Sequence, residues 1–160
     1  MKSVETLSKD FEKWADKLTN NLIKAHDETA DDVLNDVKRS VLANNNVDTG
    51  EFYESLDRTP TMLVDGHLIT GIGSNLLVTT KDGKSYKLGQ LLETGTDPHA
   101  IPNAFGWGDI YGYDSEQYLR TTQSDWHPGT IAYNNYKNAL DNNEQRHRER
   151  LAKAIQEAFK

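Results

Sequence analysis

The longest apolar pattern lies at the start of the chain. Residues 4–43 contain neither glycine nor proline, and apolar side chains recur there every three or four positions. This is the spacing of an amphipathic helix. The stripe consists of Leu7, Phe11, Trp14, Leu18, Leu22, Ala25, Thr29, Val33, Val37 and Val41. The pattern weakens around residues 25–29, where Thr29 could cap a second helix, so one bent helix and two collinear helices are both open.

A helix of this length on a small domain extends beyond its own core. Phe11 and Trp14, near its start, are therefore candidates for contact with a neighbouring molecule, against ordinary packing within the chain. Asn44 to Asn46 predict its end, because asparagine tolerates the left-handed conformation. A short helical turn follows, for which Asp48 or Thr49 is the expected cap.

A second, shorter apolar pattern occupies residues 88–92. Leu88, Leu91 and Leu92 stand at i, i+3 and i+4, which predicts one buried helical turn, and Gly95 supplies the backbone freedom to end it. Thr96 and Pro98 then lead into an irregular segment. Glu93 therefore lies at a junction between core and loop, where functional residues tend to be found.

The middle of the chain predicts β-structure. Residues 59–64 and 67–74 flank Asp65-Gly66, and residues 76–80 and 84–88 flank a second turn that ends in Asp82-Gly83. Asp-Gly between alternating apolar residues is a strong hairpin signal. We expect an α+β fold, in which the N-terminal and C-terminal helices pack on one face of a small antiparallel sheet of about four strands.

The last third begins with an irregular segment, residues 97–130, rich in aromatics and glycines around Trp107. It is interpreted as a flap over the core or as an interaction loop that orders on assembly. Residues 126–130 predict a tight turn. A final amphipathic helix is expected over 133–159, although the polar residues 142–144 interrupt its stripe, so that it could begin properly only near Leu140.

Composition supports a single domain, residues 1–160, with a thin core. Only 36% of the chain is hydrophobic and the mean hydropathy is -0.77, so either long polar loops are present or burial is completed against another copy or a partner. There is no cysteine, and no apolar run approaches the roughly 18 residues that a membrane span needs, so no contact with a membrane is predicted. The net charge of -7 argues against nonspecific nucleic-acid binding. Residues 1–57 carry a net -6 and residues 126–160 a net +2, so the two ends should attract each other.

Candidate catalytic chemistry is sparse. Glu93, His99 and His127, with Asp97, could be imagined as a zinc or iron site, but the ligand spacing of known metal motifs is absent. The simpler interpretation is that these imidazoles hydrogen-bond loop carbonyls. Of the other histidines, His26 is expected to be a solvated helix residue, His67 a hairpin flank and His147 a satisfied, half-buried side chain. Nucleophile and phosphate-binding motifs are also missing, so we predict no enzyme activity, metal or cofactor.

Three short motifs occur in a fixed order along the chain. They are Val47-Asp48-Thr49-Gly50, then Tyr86 followed by Leu92-Glu93-Thr94-Gly95-Thr96, then His127-Pro128-Gly129-Thr130 before the last helix. In this order the chain resembles the small tail-component family of tailed bacteriophages, the head-to-tail joining or tail-completion proteins. The resemblance spans residues 30–158. It departs from the family after the third motif, where a proline-rich stretch is usual, and in residues 104–124, a longer and more aromatic loop.

The resemblance implies a structural virion protein in the phage neck, made in the host cytoplasm. Copies would form a ring homo-oligomer and contact other neck, connector and tail-tube proteins, with DNA passing nearby without specific binding. The candidate structural and interface residues are Asp48, Thr49, Gly50, Tyr86, Glu93, Gly95, Thr96, His127, Pro128 and Gly129, together with Phe11, Trp14 and Trp107. Glu93 is expected to accept backbone amides, from the turn at 47–50 or the turn at 127–130. The alternatives are a small metal-dependent hydrolase using Glu93, His99 and His127, and a protein-binding adaptor outside any virion.

Overall fold

A computed structural model describes residues 4–45, 50–79, 83–95 and 131–160, and the backbone of 99–100 and 126–127. The fold is α+β, as predicted. The helices are α1 (Val4–Ala43), α2 (Glu51–Ser55), α3 (Leu88–Thr94) and α4 (Asn135–Ala158). The strands are β1 (Leu56–Arg58), β2 (Met62–Val64), β3 (His67–Ile69), β4 (Ile72–Ser74), β5 (Leu77–Thr79), β6 (Ser85–Lys87), β7 (His99–Ala100) and β8 (Trp126–His127).

Helix α1 is one continuous helix of 40 residues, about 60 Å long at 1.5 Å per residue. The question left open at residues 25–29 is thereby settled. The Thr29 hydroxyl donates to the carbonyl of Ala25, one turn earlier, so Thr29 lies within the helix and does not cap a new one. Despite this length, neither α1 nor any other described helix is apolar enough to cross a membrane.

The turn after α1 follows the prediction in part. Asn45, just past the helix, has the left-handed φ of 57° that the asparagine run suggested. Helix α2 is capped differently from the expectation: its N-cap is Gly50, with φ 83°, and no side chain caps it. The prediction of Asp48 or Thr49 as the cap was therefore wrong, because the helix begins at Glu51 and its N-cap position is Gly50.

The first hairpin turns at Asp65-Gly66 as predicted, with φ of 50° and 79°. It is longer than predicted and is divided: β2 pairs with β3, and β1 pairs with β4. Pro60 has no N–H to donate to the ladder between the two pairs. The N–H of Thr61 is turned away to the carboxylate of Asp27 on α1, at 3.2 Å. Proline and this long-range contact together interrupt the ladder.

The strands therefore form separate two-stranded pairs and not one four-stranded sheet. β5 pairs with β6 in the second predicted hairpin, whose turn contains Gly83 with φ 80°. The segment 97–130 was expected to be irregular, but its two ends pair as β7 and β8, with His99 opposite His127. This antiparallel pairing places His127, the first residue of the third motif, opposite His99, which follows the second motif.

The main packing contact is between α1 and α4, which run antiparallel. Asn135 at the start of α4 contacts Ser40, and Ala154 near its end accepts a hydrogen bond from Asn21 at 3.3 Å. Buried alanines on both helices allow close approach. The core next to this contact consists of Val33, Val37, Val41, Phe52, Leu56 and Ala139, with Leu34, Tyr53, Ile72, Leu76, Leu88, Leu92 and Tyr136 packed against it.

Helix α4 spans Asn135–Ala158, which confirms the helix predicted over 133–159 and excludes the alternative start near Leu140. Asn143, the centre of that interruption, is buried and faces α1, where its amide donates to Asp36 at 2.7 Å and to the Ala139 carbonyl at 2.9 Å. A buried polar side chain with both partners present costs little, because its hydrogen bonds replace those lost to water. The polar residue thus belongs to the interface and does not end the helix.

Charge also joins these helices. Asp32 on α1 accepts Arg146 at 2.8 Å and Arg150 at 2.9 Å from α4, and Arg146 is the first cause of the lowered pKa of that carboxyl. Glu28 lies 3.7 Å from Arg150. These ion pairs connect the acidic first third of the chain with its basic last helix, which is the attraction that the charge distribution predicted.

Two histidines meet between these helices. The rings of His26 and His147 are 5.1 Å apart, edge to face, and Nδ1 of His147 lies 3.1 Å from the Thr29 hydroxyl. Burial lowers the pKa of both imidazoles; the charge of Asp27 opposes this at His26, while His26 and Arg150 reinforce it at His147. The satisfied, half-buried His147 is as predicted. His26 is half-buried against it, which corrects the expectation of a solvated residue.

The core makes a direct prediction about stability. Leu56 is only 2% exposed, so Leu56→Ala should lower the free energy of unfolding by about 2–5 kcal/mol through lost contacts and a cavity. Leu42 is 50% exposed on the outer side of α1, and Leu42→Ala should cost less than about 1 kcal/mol. Urea denaturation of both variants measures the difference. Equal losses would contradict this position of the core.

The histidine pair predicts a loss of stability in mild acid. In the unfolded chain both imidazoles take up protons near pH 6.5, whereas the folded chain resists protonation until a lower pH. Stability is therefore full above pH 6.5 and falls as the pH drops from there toward the folded pKa values. Urea midpoints at pH 7.5 and 5.5 should differ less for His147→Gln than for the wild type. An identical shift in both proteins would refute the contribution of this pair.

Candidate functional site at the junction of α3 and α4

The junction contains Glu93, the last charged residue of α3. This short helix forms because Leu88 and Leu92 pack against the core while the chain leaves β6. Gly95 ends it with φ 69°, a value that favours glycine, and its N–H donates to the Leu91 carbonyl at 2.9 Å. The predicted helical turn and its glycine stop are confirmed, and they leave the Glu93 side chain at the end of the helix.

The carboxylate of Glu93 caps α4. One oxygen accepts the N–H of Tyr136 at 2.9 Å, and the other accepts the N–H of Lys137 at 3.0 Å. The first amides of a helix have no partner within the helix, and their end of the helix dipole favours negative charge. Asn134, the N-cap residue of α4, has a left-handed φ of 52° and makes no side-chain cap of its own. Glu93 thus supplies the cap that the local sequence lacks.

Backbone hydrogen bonds also connect the residues before α4 with the carbonyls at the end of α3. The N–H of Tyr133 donates to the carbonyl of Leu92 at 3.0 Å, and the N–H of Asn134 lies 3.4 Å from the carbonyl of Glu93. These are carbonyls at the end of α3, which also lack partners within their own helix. Each helix end therefore satisfies part of the other, and the two helices are fixed relative to one another.

Tyr136 packs this junction against the core. Its phenol is half-buried, and burial first, then the nearby charge of Glu93, raises the pKa of its hydroxyl. Space here is tight: a Cβ added to Gly89 would lie 3.3 Å from Phe52 Cε2 and 3.4 Å from the Tyr136 hydroxyl. Gly89 thus permits α3 to approach α4 and α2 closely.

A buried polar group links the junction to α1. Asn135 is 1% exposed, and its side-chain oxygen accepts the Ser40 hydroxyl at 2.6 Å and the Asn44 amide at 2.9 Å. Sequence reasoning missed Asn135, because a polar residue in the run Asn134-Asn135 is typical of a loop. The absence of glycine or proline after it was the one signal that a helix begins there.

The expectation for Glu93 is correct in kind and different in place. It accepts two backbone amides, as predicted, but these belong to the start of α4 and not to either turn motif. Gly50 and Gly95 both adopt a positive φ, which favours glycine. The backbones of His99 and His127 are register partners. The remaining motif positions lie outside the described residues: Asp48, Thr49, Thr96, Pro128, Gly129 and, in the long loop, Trp107.

Three other candidates lie away from the junction. Tyr86 is on β6 opposite Val78 and is exposed. Phe11 is exposed near the start of α1. Trp14 is half-buried against Phe159, with ring centroids 5.0 Å apart, and its indole N–H is the one buried side-chain polar atom without a hydrogen bond in the described part of the chain. These three are therefore surface or edge positions and not parts of one site.

The junction has the chemistry of a structural site. Both oxygens of Glu93 accept backbone amides, so metal binding by this carboxylate would compete with the cap. Across the residues that the structure describes, no group of three or more histidine, aspartate or glutamate side chains could hold a metal ion. What the arrangement can do is hold α3, α4 and the end of α1 in one geometry.

Removal of the cap gives the test of this site. Glu93→Ala should lower the free energy of unfolding by about 1–2 kcal/mol, the usual effect of losing an N-cap. Glu93→Gln should cost less, because it keeps an acceptor but loses the charge that faces the helix dipole. Urea denaturation measures both, and amide hydrogen exchange of Tyr136 and Lys137 should become faster. Glu12→Gln, at an exposed position of α1, is the matched control. If Glu93→Gln matches this control in stability and exchange, the capping role is wrong.

Comparison with known proteins adds no related protein in which this site could be recognised. No protein-family model, no curated protein and no solved structure matches the chain. The family resemblance therefore depends on the three motifs, their order and their spacing.

Proposed function

We propose that this chain is a structural protein of a tailed-phage virion. It would join head to tail, or complete the tail, as one copy in a ring of the neck. The observation that carries this proposal is the order of the three motifs along the chain, the last of which is separated by four residues from the last helix. No catalytic step is part of the proposal.

The geometry of the junction supports this role. Glu93, from the second motif, caps the helix that follows the third motif, and β7 and β8 pair the backbones that flank the segment between them. The motifs are short, and the second is connected by backbone hydrogen bonds to residues 133–134, which follow the third. Residues selected to fix the geometry of loops have this character, whereas catalytic residues need free donors or acceptors directed at a substrate.

The charges support it as well. On α4, Arg146 and Arg150 are engaged by carboxylates of α1, and the chain carries a net charge of -7. A surface of this kind attracts phosphates weakly, since nonspecific DNA binding depends on basic side chains that neutralise phosphates. DNA could pass such a protein without being held by it.

The decisive experiment removes the coding sequence from the phage or prophage that carries it. We expect DNA-filled heads and separate tails by electron microscopy, and mass spectrometry should find the chain in intact wild-type particles. Supplying the wild-type chain or the Glu12→Gln control should restore joined particles, whereas Glu93→Ala should restore them poorly. Joined, infectious particles without the chain would overturn the proposal.

A further inference from the structure

The first turns of α1 extend beyond the rest of the helix pair. Helix α4 ends at Ala158, and Phe159, directly after it, contacts Trp14. Residues 4–13, called here the overhang, therefore have no α4 beside them. With about 1.5 Å per residue, the overhang is about 15 Å long.

The overhang continues the apolar stripe of α1. Val4, Leu7 and Phe11 precede Trp14 at the same spacing of three and four residues, so they lie on the face that α4 covers farther along. They are 85%, 45% and 68% exposed. An established helix interface thus extends past the helix that fills it, and this overhang stripe is ready to pack against another apolar surface.

A second apolar surface lies on the first hairpin. Met62, Val64 and Ile69, called here the hairpin patch, lie on one face of this ribbon, since Met62 pairs with Ile69 and Val64 is two residues farther along β2. They are about half exposed, between 43% and 56%. Three consecutive exposed apolar residues on β2 mean that both faces of this strand are open. Asp27 of α1 holds the base of this hairpin at Thr61, but grooves of about 470 and 350 Å³ lie between its strands β2 and β3 and the helices α1 and α4. A two-stranded ribbon with an open apolar face is unusual in an isolated monomer.

We propose that the overhang stripe of one copy packs on the hairpin patch of a second copy of this chain. The two surfaces match in form, a narrow helical ridge and a flat ribbon. They are also similar in length, since three strand residues occupy about 10 Å and the eight helix residues from Val4 to Phe11 about 12 Å. One contact covers both surfaces, whereas pairing of two overhangs would leave both hairpin patches exposed.

The contact joins two different surfaces, so each copy keeps one overhang and one hairpin patch for further neighbours. Head-to-tail contacts of this kind close into rings when the rotation between copies permits it. This arrangement makes the ring of the proposed function specific and rests on that function for its closure. Six partly exposed side chains offer on the order of several hundred Å², below the roughly 1,200 Å² of a stable interface, so a single contact is weak and concentration-dependent.

The absence of cysteine from the sequence allows this weak contact to be trapped as a disulfide. A disulfide needs Cα atoms within about 7 Å, so its yield reports direct apposition. Leu7→Cys and Val64→Cys chains, each full length, are mixed and oxidised, and the products are resolved by mass. The expected product is a dimer containing one of each chain, at a yield about tenfold above a mixture of Leu7→Cys with Asn142→Cys, an exposed position on α4.

Two further variants sharpen the result. Adding Phe11→Ser to the Leu7→Cys chain should reduce the mixed dimer severalfold, because it removes the largest side chain of the stripe. Adding Leu42→Ser, at an exposed apolar position at the other end of α1, should not. A chain carrying both cysteines should form a ladder of trimers and larger species.

Each contrary result rejects the proposal. A mixed yield equal to the Asn142→Cys control would show that the surfaces do not meet. If disulfide dimers of two Leu7→Cys chains dominate, the overhangs pair with one another. Preferred linkage of Leu7→Cys to Val78→Cys would assign the contact to the second hairpin. Double-cysteine chains that stop at a dimer would reject the head-to-tail arrangement. The mixed dimer could form even if the chain were absent from virions, so failure of this contact and failure of the neck role are distinguishable.

Discussion

The rest of the structure depends on the antiparallel contact between α1 and α4. Asp32 and its two arginine partners lie in the middle of this contact. The β-pairs are short and separate, and isolated two-stranded ribbons are marginal in water. Each must be held by something else. The first hairpin is held by α1 through Asp27, and α2 and β1 bury Phe52 and Leu56 against the same helix. The helix pair supplies the fixed surface, and the strands supply little stability of their own.

Glu93 extends this helix pair to the motifs. Its carboxylate is the point at which a short helix from the middle of the chain meets the start of α4, and the backbone hydrogen bonds returned by residues 133–134 make the connection mutual. An interaction of about 1–2 kcal/mol is modest in stability, but it fixes direction: it determines where the chain enters α4 and so where the preceding motif must lie. The role of Glu93 is therefore mainly to set the geometry of the junction, more than to add stability or chemistry.

The features that the sequence predicted correctly are determined by residues close together in the chain. The stripe of α1, the positive φ at Asp65-Gly66 and the glycine stop of α3 each depend on a few neighbouring residues. The failures depend on distant partners. Asp27 diverts the Thr61 amide and divides the hairpin, and Glu93 caps a helix that begins 42 residues later. Asn143 interrupts the apolar stripe in the sequence, but in the fold its amide donates to Asp36. The pairing of β7 with β8 likewise has no local signature. Of the site, the residue and its chemistry were predicted, but its partners were not.

Because helix α1 is unbroken, it also connects the core rigidly to the overhang. With neither glycine nor proline in it, the direction in which Phe11 points is determined by counting residues from Val37 at about 100° per residue. One inserted residue between them would turn the exposed stripe by about 100°, whereas seven would turn it by only about 20°. The length of this helix is therefore constrained in steps: chains that share this architecture should differ there by whole repeats of about seven or eleven residues, even where the sequence itself is free to change.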